Sequence, residues 1–359
     1  MFRLLRAFLY SVVLFVVVLL WTVSAYPVTS GASTSSACKK NKKACAALVK
    51  KTAKVSAKAR AARAARVEAA IQARKKYLRN DKELAISQGQ NEFIYDTALN
   101  VLGKRKGTIL ITNVATQRVE ASVYQDVTYY REFYPCSTIK LSTALAGLSE
   151  GVIDEQGKIV DPVKIYPKEW TLDESIRKSN NGYFMEVGAK VGGPDFLEVL
   201  RKNGYGSKTG LNVPGQSSGR IPSVVTDPKE YSYASHIQAT ALQLNQIALG
   251  IANSRTKDAF GFPKETLQRL IPGMIRAAED GTAHLSKSKE FDLKLAGKTG
   301  TCKSTGLFTG FAPHDNPKFA ITVILQGSKG KYAAKVAGEV LKVLKDKRML
   351  DSAPLLAKG

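Results

Sequence analysis

The stretch Tyr134-Pro-Cys-Ser-Thr-Ile-Lys-Leu-Ser-Thr-Ala-Leu-Ala-Gly-Leu-Ser-Glu-Gly151 decides the fold and carries the first chemical signal. A helix is predicted over residues 137–151, because apolar side chains recur there at helical spacing. This apolar face consists of Ile139, Leu141, Ala144, Leu145 and Leu148. Ser137 and Lys140 are three residues apart, so a helix brings a hydroxyl and an amine to one face.

Strand patterns lie on both sides of this helix. A β-hairpin is predicted ahead of it, over residues 108–114 and 118–124. Behind it come helical patterns at 183–191, 195–203 and 237–253, then strands at 292–301, 306–312 and 318–326 and a closing helix at 332–347. This order predicts an α/β fold of the α+β type, with one five-stranded antiparallel sheet flanked by helices and an α-rich lobe beside it.

The N-terminal part of the chain has a different composition. Residues 7–25 are almost wholly apolar and long enough to cross a bilayer, while Val23-Ser-Ala25 is also typical of a signal cleavage site. We therefore expect a transmembrane anchor or signal over residues 1–26, and either would export the rest of the chain. The remaining organisation is predicted as a basic Ala/Lys/Arg-rich helical stalk (27–90), a folded domain (91–350) and a tail (351–359).

The net charge of +24 is concentrated in the predicted stalk. Residues 39–82 contain 16 Lys and Arg but only two acidic residues. No zinc-finger spacing, leucine-zipper heptad or RNA-binding aromatic motif accompanies this charge, so a nucleic-acid partner is not predicted. A solvated basic segment near an anionic cell envelope explains the composition better. With three histidines and no Cys-x-x-Cys, no metal or other cofactor is expected.

Three short motifs point to nucleophilic catalysis. Ser-x-x-Lys occurs six times, but only the copy at Ser137 opens a strongly apolar helix after a strand pair. Ser-x-Asn occurs once, at Ser179. Lys-Thr-Gly occurs twice, and we interpret the copy at Lys298 as functional because it lies in a predicted strand, while the copy at Lys208 lies in a Gly-rich turn. A nucleophile, a base and donors for an oxyanion are what acyl transfer requires.

In this order, the three motifs resemble those of penicillin-binding proteins and serine β-lactamases. The flanking sequences strengthen the resemblance, which covers about residues 91–348. It implies that Ser137 is acylated by a peptide carbonyl and that Lys140 is its general base, with a pKa lowered by burial and by Lys298. It also implies that Ser179 relays a proton to the leaving amine, and that Asn181 orients the base and holds a substrate amide.

The resemblance also implies a substrate-binding strand. Lys298, Thr299 and Thr301 would bind the substrate carboxylate, with the bare backbone of Gly300 beside an extended peptide. The backbone N–H groups of Ser137 and Thr301 would form the oxyanion hole. The expected substrates are peptidoglycan stem peptides ending in D-Ala-D-Ala, and β-lactams would acylate the same serine. Since no glycosyltransferase segment is visible, glycan polymerisation is expected to fall to a partner.

Two cysteines depart from the family pattern. Cys136 precedes the nucleophile, where the family usually has glycine, and Cys302 follows Thr301, the threonine after the third motif, where the family usually has a small residue. Both positions flank the implied oxyanion hole. A disulfide between them in an oxidising compartment and two separate buried thiols both remain open.

Other interpretations of the sequence remain open. Residues 215–219 match the Gly-x-Ser-x-Gly elbow of hydrolases, but Pro214 and Pro222 break the strand and helix that this motif requires. Within the superfamily, a class D-like β-lactamase, a carboxypeptidase and a β-lactam sensor are alternatives to a DD-transpeptidase. Asn181 favours the penicillin-binding side, because class D enzymes usually have valine there.

Overall fold

One five-stranded antiparallel sheet organises the fold, as the sequence predicts. The computed structural model describes residues 42–163, 170–209 and 216–351. The strands stand in the order β2-β1-β5-β4-β3, so β3 lies at an edge. Their bounds are β1 (Gly107–Asn113), β2 (Val119–Val123), β3 (Ala296–Cys302), β4 (Thr305–Ala312) and β5 (Phe319–Gln326).

Helices cover the sheet and form a lobe beside it. In chain order they are α1 (Lys42–Ser87), α2 (Glu92–Leu102), α3 (Gln125–Tyr130), α4 (Lys140–Ser149), α5 (Leu172–Lys178), α6 (Asn181–Val191), α7 (Gly193–Lys202), α8 (Glu230–Tyr233), α9 (Ala241–Asn253), α10 (Lys264–Gln268), α11 (Ile271–Glu279) and α12 (Gly330–Asp346). Two 3₁₀ turns, Cys136–Ile139 and His284–Ser286, complete the regular structure of the described residues.

Strands β1, β4 and β5 are buried on both sides because helices cover both faces of the sheet. On β4, Leu307 and Phe311 belong to the core shared with the α-rich lobe. The alternate residues Phe308 and Ala312 belong to a second core, which contains the buried face of α12. Successive side chains of a strand point to opposite faces, so this interior strand contributes side chains to both cores.

Three predicted boundaries are wrong, each for a local reason. The nucleophile helix does not begin as an α-helix at Ser137, because residues 136–139 form a 3₁₀ turn and α4 begins at Lys140. The helix predicted over 237–253 begins only at Ala241, since Thr240 caps it in a reciprocal capping box with Gln243. The strand predicted from residue 292 begins at Ala296, because Asp292 and Lys294 have positive φ angles of 46° and 50°.

The chain divides into two compact units, residues 1–74 and 75–359. Within the second unit the last turns of α1 are packed and not solvated. Ala85 is fully buried in the core that contains α12, and the carboxylate of Asp81 accepts hydrogen bonds from the Tyr95 hydroxyl and from the backbone N–H of Gln125. The prediction of a solvated stalk up to residue 90 is therefore wrong for these turns.

The predicted anchor at residues 7–25 lies outside the described residues, as do residues 27–41 of the predicted stalk and residues 352–359 of the predicted tail. Among the described residues, no helix has the length and apolar character needed to cross a membrane.

Candidate active site

The 3₁₀ turn brings Ser137 and Lys140 together. In a 3₁₀ turn the side chains of residues i and i+3 eclipse one another, and here Lys140 Nζ lies 3.2 Å from Ser137 Oγ. Ser137 is half-buried, whereas Lys140 is fully buried. The hydroxyl is therefore accessible from solvent, with the amine directly behind it.

The residue before the serine has an unusual backbone conformation. Cys136 has a φ angle of 54°, in the left-handed region. For a residue with a β-carbon this conformation costs about 1–2 kcal/mol, whereas glycine adopts it freely. A positive φ is a physical reason to expect glycine at this position, and here a cysteine adopts it.

The amine of Lys140 lies among four oxygen atoms. Its Nζ is 2.7 Å from the Ser179 carbonyl oxygen and 2.5 Å from Asn181 Oδ1, both of which only accept hydrogen bonds. The hydroxyls of Ser137 and Ser179 lie at 3.2 and 3.0 Å. A neutral amine has two N–H groups and one lone pair. The two carbonyl oxygens take both N–H groups, so the lone pair is left for a serine hydroxyl.

Burial keeps this amine neutral. Desolvation, together with the nearby charge of Lys298, lowers the pKa of Lys140 to about 6. Lys298 is also fully buried, and desolvation lowers its pKa to about 7. No carboxylate is bonded to either amine in the described part of the chain, so nothing offsets the cost of burying their charges. At neutral pH Lys140 is mostly unprotonated.

Ser179 joins the two lysines. It ends α5 in the left-handed conformation, with a φ angle of 56°, and Asn180 caps the following helix α6 through a bond from Tyr183 N. Ser179 Oγ lies 3.0 Å from Lys140 Nζ and accepts a hydrogen bond from Lys298 Nζ at 2.9 Å. A proton can therefore pass between these groups without a large movement.

Asn181 is oriented by residues that the sequence did not suggest. Its Oδ1 accepts from Lys140 and from Ser232 Oγ, at 3.1 Å for the latter, and its Nδ2 donates to the Tyr233 hydroxyl at 2.6 Å. Both ends of the amide therefore have hydrogen-bond partners, which hold the side chain in place. Ser232 and Tyr233 lie in the short helix α8, about 50 positions further along the chain, and no motif marks them.

Strand β3 approaches the nucleophile turn at Gly300. A β-carbon added there would lie 2.8 Å from the carbonyl oxygen of Pro135 and 3.3 Å from the β-carbon of Cys136. Only glycine leaves room for this contact between the two backbones. At the end of the strand, Cys302 is joined to Cys136 in a disulfide, with a Cα–Cα distance of 5.6 Å.

The two threonines of the third motif have protein partners. Thr299 Oγ1 donates to Thr282 Oγ1 at 2.7 Å, and Thr301 Oγ1 accepts from Gly330 N, the first residue of α12, at 2.7 Å. Thr301 is exposed, and its own O–H proton remains able to donate. The structure thus brings together Ser137, Lys140, Ser179, Asn181, Lys298, Thr299, Gly300 and Thr301, while their roles stay predictions.

The rival motifs lie elsewhere. Ser217 Oγ donates to Glu132 Oε1 at 2.6 Å, and residues 216–219 form neither a strand nor a helix. Lys208 is exposed, next to Thr209, whose hydroxyl donates to Gln216. Gly210 and Gly215, which complete these two motifs, lie outside the described residues. Neither described part has the surroundings that its chemistry requires.

Residues 99–345 match the family described as the penicillin binding protein transpeptidase domain. The chain belongs to the penicillin-binding-protein transpeptidase family. This confirms the resemblance that the three motifs indicate. Among the described residues of this transpeptidase domain, the buried lysine pair and the accessible serine form the site described above.

Named relatives are distant and longer. The chain is 25% identical over 278 residues to the peptidoglycan D,D-transpeptidase MrdA of Acinetobacter baumannii. It is 24% identical over 256 residues to the peptidoglycan D,D-transpeptidase FtsI of Buchnera aphidicola. These matches cover 57% and 59% of this chain, and 41% and 44% of the two relatives. The chain therefore spans less than half the length of the curated relatives it matches.

Solved structures share the fold. PBP2 of Pseudomonas aeruginosa, crystallised with WCK 5153, aligns with a TM-score of 0.61 at 24% identity, covering 73% of this chain and 78% of that one. The D,D-transpeptidase domain of a peptidoglycan glycosyltransferase from Eggerthella lenta aligns with a TM-score of 0.62 at 18% identity, covering 73% and 83%. At these identities the likeness extends to the fold alone.

Proposed function

We propose that this protein is a DD-transpeptidase-type serine acyltransferase that acts on D-Ala-D-Ala peptides in peptidoglycan cross-linking. One observation carries the proposal. The amine of Lys140 is buried, has a pKa of about 6, and has both N–H groups occupied by carbonyl oxygens, so its lone pair faces a serine hydroxyl. A neutral amine in hydrogen-bond reach of a nucleophile is a general base.

Acylation begins when Ser137 Oγ attacks the carbonyl carbon of the penultimate D-Ala. Lys140 Nζ accepts the hydroxyl proton as the new C–O bond forms. The oxyanion is bound by the backbone N–H groups of Ser137 and Thr301, an assignment supported by the close approach of Gly300 to Pro135. Donors fixed in advance at the site of developing charge are usually the largest single contribution to such a step.

The leaving amine requires a proton as the C–N bond breaks. Ser179 Oγ is supported as the relay, because it lies 3.0 Å from Lys140 Nζ and 2.9 Å from Lys298 Nζ. Terminal D-Ala departs, and the peptide remains as an ester on Ser137. A second peptide amine then attacks this ester, and the same lysine accepts its proton and returns it to Ser137 Oγ as the ester C–O bond breaks.

Recognition of the substrate falls to strand β3. The strand lies at the edge of the sheet, where an extended peptide can pair with its backbone. We assign the substrate carboxylate to Lys298 and to the hydroxyls of Thr299 and Thr301. The exposed Thr301 hydroxyl supports this, because it accepts from Gly330 N and retains a proton to donate.

The composition of the N-terminal residues supports a location of the catalytic domain on the outer side of the cytoplasmic membrane. We propose that residues 7–25 anchor the chain by a single span and that the basic stretch within residues 27–90 separates this anchor from the catalytic domain at 91–350. The catalytic domain would then act in the periplasmic or extracytoplasmic space. A glycosyltransferase partner would polymerise the glycan strands that the domain cross-links.

The decisive experiment is incubation of the full chain with a labelled penicillin, followed by peptide mapping. We expect a covalent adduct on the peptide that contains Ser137, and no adduct in Ser137→Ala. Ser217→Ala, which removes the serine of the rival Gly-x-Ser-x-Gly motif, is the matched control and should label normally. Labelling at another residue, or none with folded protein, would refute the proposal.

The lifetime of the adduct and the fate of a D-Ala-D-Ala peptide separate the alternatives. A slowly released adduct, with transfer of the peptide to an added amine, is the result expected of a transpeptidase. Release of D-Ala with transfer only to water would indicate a carboxypeptidase. Rapid turnover of the penicillin would indicate a β-lactamase, and a stable adduct without any peptide turnover would indicate a sensor.

A further inference from the structure

We infer that the disulfide between Cys136 and Cys302 positions the oxyanion hole, by holding the turn that carries Ser137 against the end of strand β3. The inference rests on the proposed function. The two cysteines lie next to the two residues whose N–H groups would bind the oxyanion, since Cys136 precedes Ser137 and Cys302 follows Thr301. The bridge therefore spans the gap that the oxyanion must enter.

The backbone of the nucleophile turn needs support. Cys136 is held at a φ angle of 54° although it has a β-carbon. Such a conformation persists only where the surroundings impose it. The bridge supplies one such constraint, because it joins Cys136 to a residue 166 positions away at the end of a sheet strand.

The turn and the end of β3 also meet through noncovalent contacts. Gly300 lets β3 come close to Pro135, but it contributes no side chain that could hold the turn in place. Beyond the bridge, Lys303 Nζ lies 3.8 Å from the ring centroid of Tyr134, at a solvent-accessible position. An exposed cation–π contact is a weak constraint. The disulfide is the covalent link between the two segments.

Placement matters here because an oxyanion hole acts through fixed distances. A misplacement of about 1 Å can lower a rate by about 10²-fold. Binding of the substrate depends mainly on Lys298 and the edge of β3, and pairing with β4 along its whole length keeps this strand in place without the bridge. Loss of the bridge should therefore slow the acylation step while leaving the initial binding step nearly unchanged.

The test compares full-length variants that separate the bridge from the backbone angle. Cys136→Ser/Cys302→Ser removes the bridge and keeps a β-carbon at position 136. Cys136→Gly/Cys302→Ser also removes the bridge, but glycine adopts the positive φ freely. For each, labelled penicillin gives the dissociation constant of the initial complex and the first-order acylation rate constant, and a melting curve reports folding.

We expect the serine variant to acylate at least about tenfold more slowly, as for a misplaced oxyanion donor, with its dissociation constant within about threefold of the wild type. The glycine variant should recover most of the lost rate. Equal acylation by the serine variant and the wild type would overturn the inference. The inference would also be overturned if both variants lost the same acylation rate in proportion to a lower melting temperature. The bridge would then act on stability alone.

A second measurement leaves both cysteines of the bridge unsubstituted. In Cys38→Ser/Cys45→Ser protein, a reductant acts only on the Cys136–Cys302 pair. Reduction should slow acylation, and reoxidation should restore it. Unchanged acylation after confirmed reduction would contradict the inference. Failure of the unreduced wild type to form any adduct would instead refute the proposed function, so the two failures are distinguishable.

Discussion

The nucleophile turn and strand β3 each deliver one buried lysine to the same site, but the two amines have different surroundings. Lys140 Nζ lies within hydrogen-bond distance of four oxygen atoms, two of them carbonyl oxygens. Lys298 Nζ donates to Ser179 Oγ and to the backbone carbonyl oxygen of the adjacent residue, Thr299. Burial lowers the pKa of Lys298 to about 7, and burial together with the charge of Lys298 lowers that of Lys140 to about 6.

This difference shows that residue type and burial alone do not determine the function of a lysine in the site. Lys140 lies beside an accessible serine and carries a free lone pair when neutral, so it is suited to accept a proton. Lys298 retains more positive charge at neutral pH and lies on the strand that would bind an anionic peptide end. Its charge also disfavours protonation of Lys140, so each lysine supports the function of the other.

Replacement of the proposed base should give the largest effect. In Lys140→Met we expect acylation by penicillin to fall by about 10²–10⁴-fold, the usual contribution of a general base. Rapid-mixing measurements of adduct formation would determine the rate. Lys208→Met, which changes the exposed lysine of the rival Lys-Thr-Gly motif, is the matched control and should acylate normally. A Lys140→Met protein that acylates like the wild type would show that another group accepts the proton.

The comparison between the lysines can be sharpened by pH. Only neutral Lys140 accepts a proton and only charged Lys298 supplies electrostatic stabilisation, so the acylation rate of the wild type should rise with pH through about 6 and fall again above about 7. Lys298→Met should lower the maximum rate by about 10²-fold through lost electrostatic stabilisation and should abolish the fall at high pH. It should also move the rising part of the profile to higher pH, because removal of a nearby cation raises the pKa of Lys140. If the rising part of the profile does not move, the charge of Lys298 does not lower the pKa of Lys140 as proposed.

The contact between the two segments predicts a smaller effect. In Gly300→Ala the new β-carbon would lie 2.8 Å from the carbonyl oxygen of Pro135, so one backbone must shift. We expect a loss of about 1–3 kcal/mol in the free energy of unfolding, typical of overpacking, and slower acylation. Thermal melts and adduct kinetics would measure both. The control is Ser304→Ala, at an exposed position beyond the same strand, which should change neither value. If Gly300→Ala has the same stability and acylation rate as this control, the close approach of the two backbones is contradicted.

The smallest effect is expected at Asn181. Tyr233→Phe removes the hydroxyl that accepts from Asn181 Nδ2, and the loss of one hydrogen bond corresponds to about 0.5–1.5 kcal/mol. Acylation should therefore slow by about 2- to 12-fold, and Ser232→Ala should have a similar effect through Oδ1. Unaltered rates in both variants would mean that Lys140 alone suffices to orient the amide.

Much of the site is predictable from the sequence because each motif is local. Ser137 and Lys140 lie within one turn, Ser179 and Asn181 are two residues apart, and Lys298 begins a tripeptide on a strand. Residue spacing did not predict the type of helix at the nucleophile. The 3₁₀ turn at residues 136–139 was predicted as an α-helix, because both have similar sequence preferences and differ mainly in hydrogen-bond register.

The residues that hold the motifs in place were not predictable. Ser232 and Tyr233 have ordinary side chains in a four-residue helix and gain a role only because α8 lies beside Asn181. The same holds for Thr282 and Gly330, which engage the two motif threonines from distant positions. No periodicity or motif reports a contact between segments that are far apart in the chain.

By itself, the sequence determined the five-stranded antiparallel sheet and the three motifs, because strand periodicity and residue spacing are local properties. Only the tertiary structure decided that both N–H groups of Lys140 are occupied and its lone pair is free, how low each pKa falls, and that Cys136 meets Cys302. Burial and distance fix these properties, and both arise only when segments from 39 to 166 positions apart pack together.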